Sequence, residues 1–289
     1  MTDSLTGCPA PAKLNLFLHV TGRRPDGYHL LQSAFQLIDR CDHLDVHLRD
    51  DGRIVRTNDI PGVPAESDLV VRAAHLLREA AGHPDLGATL TLHKLLPMGG
   101  GLGGGSSDAA TTLMVLNHLW QTGLSRAQLM ALGLRLGADV PFFLFGKNAF
   151  AEGVGETLTP LETADCWYVV IEPGVFVPTS TIFSSTQLTR DTKAVRITDF
   201  PDATKQIAAN FGKNDLEVAA VGRFPEIAEA IAWLGKSGNA RMTGSGACVF
   251  SAFEHEHQAD EVLAQVPSRW NGWKARAMQV HPLAHLLID

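Results

Sequence analysis

Six of the seven residues from Gly99 to Gly105 are glycine, and only Leu102 interrupts the run. Glycine loses more backbone freedom on folding than any other residue, so a run this dense inside a folded domain needs a reason. Without Cβ atoms, several backbone N–H groups can converge on one anion. An apolar strand pattern at Ala88–Leu95 precedes the run, and a helix pattern follows it. Strand, glycine loop and helix N-terminus in this order predict a site for nucleotide phosphates over Pro97–Ser107.

Other interpretations of the run fit less well. A flexible linker would not be flanked so closely by an apolar strand and an apolar helix. The Walker pattern needs a lysine after the last glycine, where Ser106 and Ser107 stand instead. The run contains a G-x-G-x-x-G match, but a dinucleotide site also needs an acidic residue about 20 positions later. Residues 117–123 contain no acid, and the H-R-D and D-F-G motifs of protein kinases are missing.

Chain length, the order of strand and helix patterns and the net charge limit the number of domains, the fold class and the kind of partner. With 289 residues the chain is long enough for two domains, and we expect 1–160 and 161–289 with a boundary near 160. Strand and helix patterns are mixed without strict alternation, which predicts an α+β fold. The net charge of −7 disfavours nucleic acid as a partner.

The chain also lacks the patterns of membrane and exported proteins. No segment approaches the roughly 18 apolar residues of a membrane span, and no apolar stretch follows a basic N-terminus. Its four cysteines are widely separated and none has C-x-x-C spacing, which is typical of reduced thiols. We therefore expect a cytoplasmic protein with no membrane partner.

Local patterns predict most of the helices and strands. Residues 1–11 resemble a polar tail, and the alternation at Lys13–Val20 predicts a strand that ends in a turn at 22–27. Further strands are predicted near 33–39, 43–48, 88–95, 166–171 and 273–280. A strand–turn–strand is predicted at 240–253, and two short strands are predicted to flank 152–155. Further helices are predicted near 126–136, 180–188, 204–211, 215–222, 225–235 and 256–265.

Serines are the expected N-caps of three helices. Ser67 precedes a helix that should end at Gly82, and Ser125 forms a capping box with Gln128. Ser106 or Ser107 is the expected cap of the helix after the glycine run.

Two charged residues are candidates for chemistry. Asp139 lies in a sharp turn before Pro141, where it can project into a cleft, although a solvated turn aspartate would look the same. Lys13 lies among apolar strand residues and needs a partner there, because an unpaired buried charge is costly. The alternative is an edge-strand lysine that reaches into solvent.

Three motifs together resemble those of the GHMP kinase superfamily, which phosphorylates small metabolites. They are the glycine loop, Pro11–Leu16 near the N-terminus and Thr243–Val249 near the C-terminus. The resemblance implies an N-terminal ATP-binding domain with a ribosomal-protein-S5-like fold and a C-terminal ferredoxin-like domain. It also implies that Lys13 lies beside Asp139, with Asp139 as the base that takes the proton of the acceptor hydroxyl.

The longer form of the loop is similar to one branch of this superfamily, as are Arg24–His29, Leu136–Pro141 and Ala151–Glu156. That branch phosphorylates the 2-hydroxyl of a methylerythritol unit that carries a cytidine diphosphate group, in the non-mevalonate synthesis of isoprenoid precursors. The resemblance covers most of the chain and is weakest over 185–205.

The resemblance also implies the binding residues. Tyr28 and Phe183 are expected on opposite faces of cytosine, His29 at its edge, and Asn15 and Thr179 at further substrate contacts. Without the resemblance, Tyr28 and His29 also suit loop rings packed on the core. The expected ATP-binding residues are Lys94, Pro97, Met98, Gly99, Gly100, Gly101, Leu102, Gly103, Gly104, Gly105, Ser106 and Ser107.

Some properties stay open at this point. Mg²⁺ is expected with ATP, held mostly by phosphates and water, while Ser106 or Ser107 either contributes a hydroxyl or only caps the helix. No acidic metal ligand is identifiable, and the chain is expected to be a monomer or a weak homodimer. The alternatives are a homoserine or mevalonate kinase of the same superfamily, a non-catalytic nucleotide-binding protein, and a dinucleotide oxidoreductase.

Overall fold

The computed structural model describes residues 3–201 and 211–289. Their strands join in one mixed sheet with the order β3-β4-β2-β10-β7-β9-β8, to which β1 and the β5–β6 hairpin are added through β2. The strands are β1 (Ser4–Arg23), β2 (His29–Arg49), β3 (Ile54–Arg56), β4 (Gly87–His93), β5 (Ala149–Glu152), β6 (Thr157–Pro160), β7 (Trp167–Glu172), β8 (Arg241–Met242), β9 (Val249–Phe253) and β10 (Asn271–Met278). The predicted α+β class is confirmed.

The α-helices of the described residues lie between these strands. They are α1 (Leu69–Ala81), α2 (Gly104–Leu119), α3 (Arg126–Leu136), α4 (Val140–Phe145), α5 (Thr179–Phe183), α6 (Asp215–Val221), α7 (Pro225–Leu234) and α8 (Glu256–Leu263). Most of them match the predicted positions, but α5 is shorter than the helix predicted near 180–188. The helix expected near 204–211 falls on residues 204–210, which lie outside the described part of the chain.

The N-terminal tail predicted for residues 1–11 is wrong, because β1 already begins at Ser4. Pro9 and Pro11 suggested a tail, since proline cannot donate to a sheet ladder. Strand β1 pairs with β2 along only one edge, so its other edge tolerates residues without an N–H group. Further along the strand, Lys13 N donates outside this pairing, to Leu102 O of the glycine loop.

Strand β2 is continuous where two strands were predicted. The predicted strands near 33–39 and 43–48 left out residues 40–42, but these residues continue the strand between a half that pairs with β10 and β5 and a half that pairs with β4. Asp42 is fully buried within it. Asp42, although polar, therefore lies within a continuous strand and not in a loop.

Two predicted helix caps are also wrong. Asp68, not Ser67, caps α1 by accepting from Val70 N at 2.9 Å. Helix α2 begins at Gly104, so Ser106 and Ser107 lie inside its first turn rather than at its cap. The predicted capping box of Ser125 and the stop at Gly82, which is left-handed with φ 69°, are confirmed.

Three buried clusters fill the protein. One packs α1 to α4 against β2 and β4, a second packs α6 to α8 against β7 and β9, and a third lies between them. Strand β10 joins the two halves of the sheet through the pairs Ala277–Ile38 and Met278–Leu37. The proposed domain boundary near 160 stays a prediction. No helix among residues 3–201 and 211–289 has both the length and the apolar character that a bilayer crossing needs.

Candidate active site

A cavity of about 1010 Å³ runs along the glycine loop and is lined by residues from both halves of the chain. All but one of the site residues expected from the sequence line it. The lining includes Lys13, Asn15, Tyr28, His29, Lys94, Pro97, Met98, Gly99, Gly100, Gly101, Leu102, Gly103, Gly104, Gly105, Ser106, Asp139, Thr179 and Phe183. The structure therefore brings together residues that are far apart in the sequence.

Ser107 is the exception. It is fully buried in the first turn of α2, and its hydroxyl has no hydrogen-bond partner among the described residues. Ser106, one position earlier, lines the cavity. Of the two serines, only Ser106 is placed to meet a ligand.

The glycines of the loop are required by close contacts as well as by conformation. Gly101 has φ 75°, and a Cβ atom there would lie 2.1 Å from the carbonyl oxygen of Thr243. Gly103 has φ 72°, and its Cβ would lie 3.1 Å from Lys13 Cγ. The backbone of the loop thus touches both the C-terminal glycine motif and the candidate catalytic lysine.

Backbone hydrogen bonds fasten the loop to the C-terminal motif. Ala247 N donates to Gly99 O and Cys248 N donates to Gly100 O, both at 3.1 Å. These bonds occupy the carbonyl oxygens of both glycines. The glycine loop and the C-terminal motif therefore form one structural unit.

Lys13 lies below this loop on β1. Its backbone N–H donates from the free edge of the strand to Leu102 O at 2.9 Å. Its ammonium nitrogen lies 3.6 Å from Asp139 Oδ2 and donates to Asn15 Oδ1. The lysine side chain is 4% exposed, whereas that of Asp139 is 35% exposed and open to the cavity. The pair thus places a buried cation beside a carboxylate that a ligand in the cavity can reach.

Asn15 orients the lysine through a network of its own. Its side-chain nitrogen donates to Ser33 Oγ at 2.8 Å, and Ser33 donates to Phe17 O at 2.6 Å. The backbone N–H of Asn15 donates to Thr243 Oγ1 at 3.0 Å. With its nitrogen engaged in this way, Asn15 presents its oxygen to the ammonium group of Lys13.

Lys94, at the start of the loop, lies between two buried carboxylates. It donates to Asp108 Oδ2 at 2.7 Å and to Asp42 Oδ2, and Asp42 Oδ1 also accepts from Leu96 N at 2.8 Å. Burial raises the pKa of Asp108 to about 7, against the attraction of Lys94 and with repulsion from Asp42. The same two carboxylates raise the pKa of Lys94, although desolvation by burial is the largest effect and opposes them.

One part of the cavity lining is apolar and suits the base of a nucleotide. Its side chains are Ile60, Val63, Leu69 and Leu92. Leu69 packs near Gly105, since a Cβ atom on that glycine would lie 3.5 Å from its methyl group. A flat apolar ring bound there would lie next to phosphates held by the loop.

The candidate base-binding residues of the second substrate are partly assembled. The rings of His29 and Phe183 are 5.0 Å apart at 33°, and both line the cavity. Tyr28 also lines it, with 65% of the residue exposed. Thr179 lies close to Ser245 of the C-terminal motif, with their hydroxyl oxygens 2.9 Å apart.

Several site residues were missed by sequence reasoning. Asp42 and Asp108 were not predicted, although the need of Lys94 for a partner was a usable signal for a nearby carboxylate. Thr243 was part of a motif but had no assigned role. Arg190, which donates to His29 Nε2 at 3.1 Å, carries no local signal, because only the tertiary fold brings the two residues together.

Comparisons with protein families agree with this geometry. Residues 68–147 match the family described as GHMP kinases N terminal domain, and residues 196–272 match GHMP kinases C terminal. The chain is 68% identical over 99% of its length to 4-diphosphocytidyl-2-C-methyl-D-erythritol kinase from Janthinobacterium sp. (strain Marseille), covering 99% of that protein. It is 65% identical to the enzyme of the same name from Herminiimonas arsenicoxydans, again with 99% of both chains covered.

Solved structures show the same relationship. A crystal structure of 4-(cytidine 5'-diphospho)-2C-methyl-D-erythritol kinase superposes with a TM-score of 0.80 at 34% identity, covering 95% of this chain and 98% of that one. Homoserine kinase from Cytophaga hutchinsonii superposes with a TM-score of 0.70 at 18% identity, covering 97% and 96%. At that identity the second likeness shows the fold alone.

Proposed function

The chain belongs to the GHMP kinase family, in the branch of the 4-diphosphocytidyl-2-C-methyl-D-erythritol kinases, and from this we propose how it acts. It is an ATP-dependent kinase that phosphorylates the 2-hydroxyl of 4-diphosphocytidyl-2-C-methyl-D-erythritol and releases ADP. The reaction belongs to the synthesis of isoprenoid precursors. The observation that carries the mechanism is the 3.6 Å contact between Lys13 and Asp139 below the glycine loop.

Phosphoryl transfer needs the phosphates held in line and their spread negative charge stabilised. The N–H groups of the loop and the N-terminus of α2 are suited to the first task, because their glycines leave the backbone accessible. Lys13 supplies a fixed, buried positive charge beneath the loop. Lys94, paired with two carboxylates, lies at the start of the loop.

Asp139 is suited to accept the proton of the acceptor hydroxyl. It is half-exposed to the cavity at the start of α4, and its side chain accepts no capping hydrogen bond from the backbone of that helix. Lys13, 3.6 Å away, holds the carboxylate in place. General-base catalysis of this kind contributes roughly 10²- to 10⁴-fold to the rate.

The cytidine group is proposed to bind where Tyr28, His29 and Phe183 line the cavity. Two aromatic faces suit stacking on a pyrimidine, and the imidazole suits hydrogen bonds to its edge. A homoserine or mevalonate kinase has no use for such a pocket. A non-catalytic nucleotide-binding protein would in turn have no need for the buried lysine and the accessible aspartate.

Magnesium is proposed to enter together with ATP. The described residues contain no group of three or more His, Cys, Asp or Glu side chains that would hold a metal ion on its own. This fits an ion whose ligands are mostly phosphate oxygens and water. We further propose a cytoplasmic setting, since Cys8, Cys41, Cys166 and Cys248 are all buried free thiols, and a monomer or weak homodimer.

Release of ADP with a panel of acceptors tests this function. We expect activity with 4-diphosphocytidyl-2-C-methyl-D-erythritol. With homoserine, with mevalonate and with the methylerythritol phosphate that lacks cytidine, kcat/KM should be lower by about 100-fold or more, because a site built for specific polar contacts rejects a substrate that lacks them. Equal activity with and without the cytidine group would refute the base pocket. Activity with homoserine alone would refute the assignment.

A further inference from the structure

Arg190 lies behind the candidate cytosine pocket, in a stretch without helix or strand that follows α5. Its guanidinium group is held by three carbonyls of its own segment. Nη2 donates to Phe183 O at 3.0 Å and to Ser185 O at 2.8 Å, and Nη1 donates to Leu188 O at 3.1 Å. A planar group fixed at three points has little freedom to rotate, so the direction of its remaining Nε–H group is also fixed.

That Nε–H group donates to His29 Nε2 at 3.1 Å. Arginine has no acceptor and does not lose its proton, so His29 Nε2 must be the acceptor of this bond. The single proton of the neutral imidazole is then on Nδ1. Burial lowers the pKa of His29, and the positive charges of Arg190 and Arg23 lower it further, which is consistent with a neutral ring.

The imidazole therefore has one polar atom left for a ligand, and this atom is a donor. Nδ1 has no hydrogen-bond partner among the residues that the structure describes, while the ring lines the cavity beside Phe183. Cytosine has an unprotonated N3 that accepts a hydrogen bond. Uracil carries a hydrogen on N3, so the same position is a donor and would face the N–H of His29 without a bond.

We propose that Arg190 is a positioning residue that makes the site selective for cytosine over uracil by fixing the tautomer of His29. The inference rests on the proposed function, because it concerns the base of that substrate. Without Arg190 the imidazole is free to carry its proton on Nε2 and to accept at Nδ1, so uracil would be tolerated. The segment 185–205, where the resemblance to relatives is weakest, thereby gains a role in substrate choice.

The test compares kcat/KM for the cytidine substrate and for its uridine counterpart in wild type and in Arg190→Met. We expect the wild type to prefer the cytidine substrate, and the variant to lose about 10- to 100-fold of that preference, which is the range for leaving a buried polar group unpaired. Its KM for ATP should not change. Arg196→Met, at an exposed position of the same segment, should keep the preference.

A double variant separates positioning from a general structural effect. If Arg190 acts through His29, Arg190→Met should change the base preference little once His29→Gln is present. An equal loss of activity with both substrates in Arg190→Met, or additive effects in the double variant, would overturn the proposal. A wild type that is inactive with the cytidine substrate would refute the proposed function itself, and one that uses both substrates equally would refute only the inference.

A measurement on the wild-type protein avoids any folding defect of the variants. The ¹⁵N shifts of the two ring nitrogens distinguish a protonated from an unprotonated nitrogen, and the spectrum of His29→Gln assigns the signal among the twelve histidines. We expect Nδ1 of His29 to be protonated and Nε2 to be the acceptor. Protonation on Nε2 in the free protein would contradict the proposal directly.

Discussion

The ammonium nitrogen of Lys13 and the carboxylate of Asp139 lie 3.6 Å apart, one on strand β1 and the other at the start of helix α4. The lysine is almost fully buried, and the aspartate is accessible from the cavity. Because they are unequally buried, the two residues have different roles. The lysine is fixed by its surroundings, while the aspartate remains free to meet a substrate.

Replacement of either member of this pair should abolish most activity while the fold is kept. Asp139→Asn removes the proton acceptor without a change of shape, and we expect kcat to fall by about 10²- to 10⁴-fold. Lys13→Met removes the charge that supports it and should lower kcat by a similar factor. Steady-state kinetics and circular dichroism would check both statements.

The matched control is Asp59→Asn, at an exposed position that does not line the cavity, and it should retain normal kcat. A turnover number within about threefold of the wild type in Asp139→Asn would remove the aspartate from its assigned role. In that case the positioning of the phosphates alone would have to account for catalysis.

Gly101→Ala should destabilise the protein more than the same substitution at another glycine with a left-handed backbone. Gly101 has φ 75° and its added Cβ would meet Thr243 O at 2.1 Å, whereas Gly82 has φ 69° with no atom within 4 Å. Backbone strain alone should make Gly82→Ala cost about 1–2 kcal/mol of unfolding free energy. The contact should add about 1–3 kcal/mol in Gly101→Ala.

Urea unfolding of the two variants measures this difference, and the KM for ATP measures its effect on the site. Because Gly101 lies in the loop, we expect the KM for ATP to rise in Gly101→Ala and to stay unchanged in Gly82→Ala. Equal losses of stability with an unchanged KM for ATP would mean that the loop relaxes away from Thr243 at no cost.

The hydroxyl of Thr243 should contribute more to the free energy of unfolding than its methyl group does. This fully buried oxygen accepts from Asn15 N at 3.0 Å and donates to Gly101 O at 3.3 Å, so it joins the two ends of the chain. Thr243→Val keeps the shape but leaves both groups unpaired, which should cost about 1–3 kcal/mol. Thr243→Ser keeps the hydroxyl and should lose clearly less stability by urea unfolding. A larger loss in the serine variant would show that packing dominates.

Much of this site could be predicted because its motifs are local. The glycine run, Lys13 and Asp139 each have a sequence context that restricts what they can do, and the structure places them in one cavity. Asp42 and Arg190 could not be found in this way. Asp42 is buried between the two shorter strands that were predicted in place of β2, and Arg190 reaches His29 only through the tertiary fold.

The same limit explains the errors in the secondary structure. Pro9 and Pro11 suggested a tail because local patterns do not reveal that β1 pairs with β2 alone at these two positions. Ser106 suggested a cap because the helix start inside the glycine run has no side chain that marks it. Helix α2 begins at Gly104 because the loop is held by the C-terminal motif, which is an interaction over a long sequence distance.

Asp108 should make the stability of the ligand-free protein depend on pH. Its pKa is raised by burial to about 7, whereas an unfolded chain has an aspartate pKa near 3.9. Between about pH 4 and pH 7 the folded protein therefore holds a proton that the unfolded chain has released. Stability from this group is fully present below pH 4, is lost as the pH rises to about 7, and changes no further above it.

Asp108→Asn isolates this effect, because asparagine has nearly the same shape and no charge at any of these pH values. The unfolding free energy of the wild type relative to the variant should fall by on the order of 2–4 kcal/mol from pH 4 to pH 8. Unfolding in urea at several pH values measures it, and the carboxylates that do not interact with Asp108 cancel in the difference. A difference that is constant across this range, or that rises with pH, would mean that Lys94 keeps Asp108 ionised in the folded protein despite its burial.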